Sequence, residues 1–133
     1  MCGIAGFWRT QKDMNEQEMT HLAQRMADAI DYRGPDDSGV WCYEAQGLAL
    51  AHRRLSILDL SPLGHQPMTS ASGNSTIIYN GEVYTTAAMR QELEAQGKTF
   101  RSHTDTEVIL EACETWGVEK TVARCVGMFA FAY

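Results

Sequence analysis

Apolar residues recur along this chain at two different spacings, and the switches between them mark a protein that mixes strands and helices. Residues 3–8, Gly-Ile-Ala-Gly-Phe-Trp, form a short apolar run suited to a buried strand. Over residues 15–31, Met19, Leu22, Ala23, Met26, Ala27 and Ile30 fall at helical spacing, which predicts an amphipathic helix capped by Asp13 or Asn15. The cluster Tyr32-Arg33-Gly34-Pro35-Asp36-Asp37 reads as a turn. Strands are predicted at 39–43 and 48–58, with a loop over 59–67 that carries two prolines and a glycine. A third β-rich run at 76–79 ends at Asn80-Gly81, a pair that is also the commonest tight-hairpin signal. Helical spacing returns over 86–96, where Gly97 is a stop signal. Thr104-Asp105-Thr106-Glu107 has the form of a capping box and opens a helix to Trp116, closed by Gly117. A short helix is expected at 118–124, and residues 128–133 have the pattern of an apolar strand. A strand of that kind needs neighbours, so the expectation is a partial domain whose remaining strands lie in a longer chain.

Composition narrows the class. The chain has 133 residues, 44% of them hydrophobic and 21% charged, which suits one globular domain. Its net charge of −6 argues against nonspecific nucleic-acid binding and against an anionic membrane surface. No apolar run approaches the roughly 20 residues of a membrane span. Arg9, Lys12 and Asp13 follow the first apolar run at once, unlike a secretory leader, and the expected location is the cytoplasm. In that compartment Cys2, Cys42, Cys113 and Cys125 are read as free thiols, with Cys42, Cys113 and Cys125 as buried ones. Without a Cys-x-x-Cys or His-x-x-x-His pair, no metal site is expected.

Candidate chemistry sits at the start, Met1-Cys2-Gly3. A small second residue permits removal of Met1, leaving Cys2 with both a thiol and a free α-amine. An α-amine has a pKa of about 7.7–8.0, so it can act near neutrality as the base for its own thiol. One residue then supplies nucleophile and base, already oriented by covalent bonds. A cysteine at position 2 is weak evidence by itself.

Six motifs in order give it a context: Met1-Cys2-Gly3-Ile4-Ala5-Gly6, Tyr32-Arg33-Gly34-Pro35-Asp36, His52-Arg53-Arg54-Leu55-Ser56-Ile57, Asn80-Gly81-Glu82-Val83-Tyr84, Asp105-Thr106-Glu107-Val108 and Gly127-Met128-Phe129-Ala130-Phe131. Together they resemble the glutaminase domain of glutamine-hydrolysing asparagine synthetases, a class II, N-terminal-nucleophile amidotransferase domain. The resemblance spans the chain. It implies an α+β fold, a four-layer αββα sandwich with two antiparallel sheets between helices, here incomplete at its C-terminal side. It implies L-glutamine as substrate, no cofactor in this chain, and ATP and magnesium in a synthetase domain that lies beyond it. It also admits a homodimer.

The resemblance assigns roles residue by residue. Cys2 is the nucleophile, and the Asn80 side chain with the Gly81 N–H is the oxyanion hole. Arg54 pairs with the glutamine α-carboxylate, a contact suited to a planar guanidinium. Without the motif, Arg54 would read as a surface residue of a strand. Leu55, Ile57 and Leu58 line the pocket through their backbone, and equally read as strand core. Glu82 and Asp105 sit near the substrate ammonium, although Asp105 also suits a helix first turn for electrostatic reasons. Arg33 and Asp36 support the nucleophile. Two positions depart from the family pattern: Thr85 replaces a usual Asn, and Tyr32 a usual His. Two other readings stay open. One is a noncatalytic fragment or binding module; the other is an amidotransferase serving a different acceptor, such as a sugar phosphate.

Overall fold

The computed structural model describes residues 1–56 and 61–133, so the predicted pocket residues Ile57 and Leu58 lie outside the described residues. Among the described residues, six strands and four α-helices follow one another as β1 (Gly3–Trp8), α1 (Glu16–Asp28), β2 (Asp37–Tyr43), β3 (Leu48–Arg54), β4 (Met68–Thr69), β5 (Thr76–Val83), α2 (Thr86–Ala95), α3 (Asp105–Trp116), α4 (Val118–Val122) and β6 (Gly127–Ala132). The strands form two antiparallel three-stranded sheets, ordered β1-β3-β2 and β4-β5-β6.

Small residues let α1 lie close on the first sheet. Met19, Ala23 and Ala27 recur every four residues along α1 and are fully buried against Ala49 and Ala51 of β3. The odd-numbered residues of β3 therefore face the helix. Its even-numbered residues Leu50, His52 and Arg54 face the other way. On β5 the alternation is equally clear: Ile77, Tyr79 and Val83 pack on Ile109, Leu110 and Cys113 of α3. Ile78, Asn80 and Glu82 are thereby turned toward the first sheet. β5 packs against β1 and β3, and His52 joins the sheets through a 3.0 Å contact from Nε2 to the Tyr79 carbonyl. With α2 beside α3 on the outer face of the second sheet, the order of layers is helix, sheet, sheet, helix. This is the α+β sandwich expected from the sequence.

Several boundaries differ from expectation, each for a physical reason. The strand predicted over 76–79 does not turn at Asn80-Gly81. It runs on to Val83 because β6 pairs with it, Asn80 opposite Ala130 and Gly81 opposite Phe129. The strand predicted over 48–58 leaves its ladder after Arg54. There the Arg54 carbonyl accepts Asp36 N–H at 3.0 Å and the Asp36 carboxylate takes Ser56 N–H at 2.7 Å. Asn15, not Asp13, caps α1, and it forms a complete capping box with Glu18. At α3 only half a box forms: Thr104 Oγ1 accepts Glu107 N–H at 3.3 Å, while the Glu107 carboxylate reaches back to Arg101 and Ser102. Burial pushes the Glu107 carboxyl up. The Arg101 N–H, the Ser102 hydroxyl and the Ser102 N–H together outweigh it and hold that carboxyl below its usual range.

Candidate active site

The second residue of the chain lies just ahead of β1, whose first pair is Gly3 with Arg53 of β3. That register brings Cys2 beside the end of β3. Cys2 Sγ accepts Leu55 N–H at 3.3 Å and lies 3.6 Å from the Leu55 carbonyl. The carbonyl of Cys2 is held by Arg33 Nε at 3.1 Å. Arg33 belongs to the same Arg-Gly-Pro-Asp turn whose Asp36 fixes Ser56, so the turn clamps both the cysteine and the segment its sulfur touches. Gly34 makes this approach possible. A Cβ there would meet the backbone of Arg53 and Arg54, with the Arg54 carbonyl carbon at 2.6 Å.

Arg54 is 7% exposed, which overturns its reading as a surface residue. Its Nη1 donates to the Ser61 carbonyl at 2.8 Å, and its guanidinium abuts Gly64, where a Cβ would meet Cζ at 2.5 Å. The one-turn 3-10 helix Pro62–Gly64 is capped by the Ser61 side chain and forms the cradle. Asp105 opens α3. It accepts Val83 N–H at 3.3 Å through Oδ2 and the Thr86 hydroxyl at 3.1 Å through Oδ1. It thus serves as a structural carboxylate as well as a pocket residue, linking β5, α2 and α3.

One pocket of about 230 Å³ gathers these groups. Its walls include Cys2, Arg54, Leu55, Asn80, Gly81, Glu82 and Asp105, which are all the predicted catalytic and substrate-binding residues among those described. The same walls include Met1, Gly64, Gln66, Tyr79, Thr104, Thr106 and Met128, which sequence reasoning did not assign to the site. Asn80 is half-buried and Glu82 exposed. Gly81 lies against β6, where a Cβ would meet Phe129 Cα at 2.5 Å, so only glycine fits. Thr85, at the position of the usual Asn, donates to the Arg124 carbonyl at 2.8 Å and accepts Val126 N–H at 3.2 Å. It ties the start of α2 to the lead-in of β6.

The pocket combines a thiol, a buried guanidinium, an amide and two carboxylates within a space that suits a small amino acid. The other cysteines stand apart from it. Cys113 is buried, and burial pushes its thiol and that of Cys125 up, which makes both poorer nucleophiles. Cys42 and Cys125 are half-buried, less enclosed than expected, and all four cysteines are free thiols. Among the described residues, no group of three His, Cys, Asp or Glu side chains is arranged to hold a metal ion. No described helix is long and apolar enough to cross a membrane.

Residues 1–133, the whole chain, match the family model described as a glutamine amidotransferase domain. The chain belongs to that family. It is 41% identical over 134 residues to glutamine-hydrolyzing asparagine synthetase 3 of Bacillus subtilis (strain 168), across 99% of this chain and 21% of that protein. Glutamine-hydrolyzing asparagine synthetase 1 of the same organism is 37% identical over 131 residues, across 98% of this chain and 20% of that protein. The chain therefore spans about a fifth of the length of these relatives. Among solved structures, the glutamine phosphoribosylpyrophosphate amidotransferase of B. subtilis shares the fold. It has a TM-score of 0.55 at 22% identity, over 65% of this chain and 20% of that one. The sandwich seen here is thus shared with part of a much larger amidotransferase.

Proposed function

We propose that this amidotransferase domain hydrolyses glutamine through Cys2 and supplies the ammonia to an asparagine-synthesising partner domain. The observation that carries the reading is the convergence of Cys2, Arg54, Asn80, Gly81, Glu82 and Asp105 on one pocket, from segments far apart in the chain.

Removal of Met1 frees the Cys2 α-amine. The amine takes the thiol proton as Sγ attacks the side-chain carbonyl carbon of glutamine. The carbonyl becomes an oxyanion, stabilised by the Asn80 side-chain amide and the Gly81 N–H. Collapse of this intermediate expels ammonia, with the proton returned from the α-amine, and leaves a γ-glutamyl thioester on Cys2. Water then attacks the thioester, releasing glutamate and the thiol. Arg54 binds the α-carboxylate, and Glu82 with Asp105 the α-ammonium, so the amino-acid end of the substrate fixes where its amide lies. Leu55 contributes its backbone beside the sulfur. Neither a metal nor a cofactor enters these steps.

Similarity to two asparagine synthetases supports aspartate as the eventual acceptor, activated with ATP and magnesium in a part of the longer protein beyond this chain. The proposed location is the cytoplasm. The test is direct. In the full-length protein, intact mass should show loss of Met1, and glutamine should yield ammonia that depends on Cys2. Retention of Met1 in a protein that still releases ammonia would defeat the mechanism. Ammonia release without asparagine formation from aspartate and ATP would defeat the assignment of acceptor.

A further inference from the structure

The backbone of Tyr79, the residue before Asn80, is held by two buried side chains, one at its N–H and one at its carbonyl, and one of the two belongs to none of the six motifs. Gln66 is 5% exposed, and its Oε1 accepts Tyr79 N–H at 2.6 Å. That bond decides the orientation of the amide, because an N–H must meet the oxygen. The other end, Nε2, then donates to Thr106 Oγ1 at 3.1 Å. The β4–β5 ladder stops at Met68 opposite Ile77, short of Tyr79. The Gln66 side chain serves the Tyr79 N–H there. His52 Nε2 reaches the Tyr79 carbonyl, which is the carbonyl of the Tyr79–Asn80 peptide. That oxygen can only accept, so the neutral ring carries its proton on Nε2.

Gln66 thus spans two of the proposed binding elements. One end holds the residue immediately before Asn80; the other holds the residue immediately after Asp105. A long, flexible side chain is held here by bonds at both ends of its amide in a buried site, where unmade bonds are costly. We propose that Gln66 is a positioning residue for glutamine hydrolysis. It sets the separation between the oxyanion donor on β5 and the ammonium-binding carboxylate on α3. The proposal rests on the roles given to Asn80 and Asp105 above.

The two ends make different predictions. Gln66→Leu removes both bonds, so Asn80 drifts relative to the developing oxyanion. Misplacement of this kind lowers kcat by roughly 10- to 100-fold. Thr106→Val removes only the α3 end. It should raise KM for glutamine about fivefold with kcat nearly unchanged, because Asp105 contacts the substrate alike before and during reaction. Both variants are made in the full-length protein and assayed for ammonia release. Cys2 is then alkylated in each with iodoacetamide, which needs no amino-acid site, and with a glutamine-shaped diazoketone, which does. The expected result is wild-type reactivity toward iodoacetamide and slowed labelling by the diazoketone. Unchanged kcat and KM in both variants would overturn the role. So would a loss of iodoacetamide reactivity in step with activity, which would mean general collapse of the site. If Gln66→Leu does not fold, the KM effect of Thr106→Val decides alone. A wild-type protein that neither releases ammonia from glutamine nor reacts with the diazoketone would instead defeat the proposed function itself.

Discussion

At the scale of single residues, the pocket makes sharply different demands on neighbouring positions. Asn80 is asked for one hydrogen bond that matters only when negative charge develops. Asn80→Ala should therefore lower kcat for glutamine hydrolysis by about 100- to 1,000-fold, with a much smaller change in KM, measured as steady-state ammonia release. Arg54 is asked for a planar fork. Arg54→Lys keeps the charge but loses bidentate geometry, and should raise KM for glutamine by at least about tenfold while leaving iodoacetamide reactivity of Cys2 intact. Gly64 is the partner that sequence gives least reason to suspect. Because a Cβ there would collide with the guanidinium of Arg54, Gly64→Ala should push the guanidinium off its cradle and imitate the kinetics of Arg54→Lys.

How much of this was legible beforehand differs by residue. The motif positions could be read because order along the chain and chemical type carry them. Gly64 and Gln66 could not, because their roles come from contacts with Arg54, Tyr79 and Thr106, and no local pattern records those contacts. Asp105 was readable in both its senses, and the structure has it at the helix start and on the pocket wall together.

Among the elements, the Arg-Gly-Pro-Asp turn has the widest reach relative to its size. It touches the Cys2 carbonyl through Arg33, the Arg54 carbonyl through Asp36 N–H, and Ser56 through the Asp36 carboxylate. Gly34→Ala would force it off β3. The expected loss is about 1–3 kcal/mol of stability by denaturant melt, and a larger proportional loss of glutaminase activity, since both walls of the site move together. Elements defined by local signals were read well: β1 matches its prediction residue for residue, and the helices differ by a few residues at their ends. β5 was misjudged because its continuation depends on β6, almost fifty residues later, whereas Asn-Gly is a turn signal only when nothing pairs across it. The tail of β3 was misjudged for the converse reason, since Asp36 pulls it out of the ladder.

For the molecule as a whole, the junction between the sheets should respond to acid. His52 sits there with 1% exposure, and burial lowers its pKa from the ordinary 6.5 to about 4. The unfolded chain therefore takes up this proton before the folded one does. Stability is full above pH 6.5 and falls as the pH drops toward 4, by a total on the order of 3 kcal/mol. His52→Gln retains a donor that does not titrate in this range. Urea melts of the two proteins between pH 7.5 and 4 should diverge, with the flatter profile belonging to the variant. Parallel profiles would mean that the imidazole is already charged in the folded state.

Met1 is 74% exposed, yet it forms part of the pocket wall beside Cys2. A newly made chain that still carries it would be folded but silent on two counts, its base tied up as an amide and its entrance narrowed. Maturation by a single peptidase cut would thus be the moment at which the protein acquires chemistry. An affinity tag fused ahead of Met1 would prolong the silent state indefinitely, while the same tag at the other end would leave it untouched.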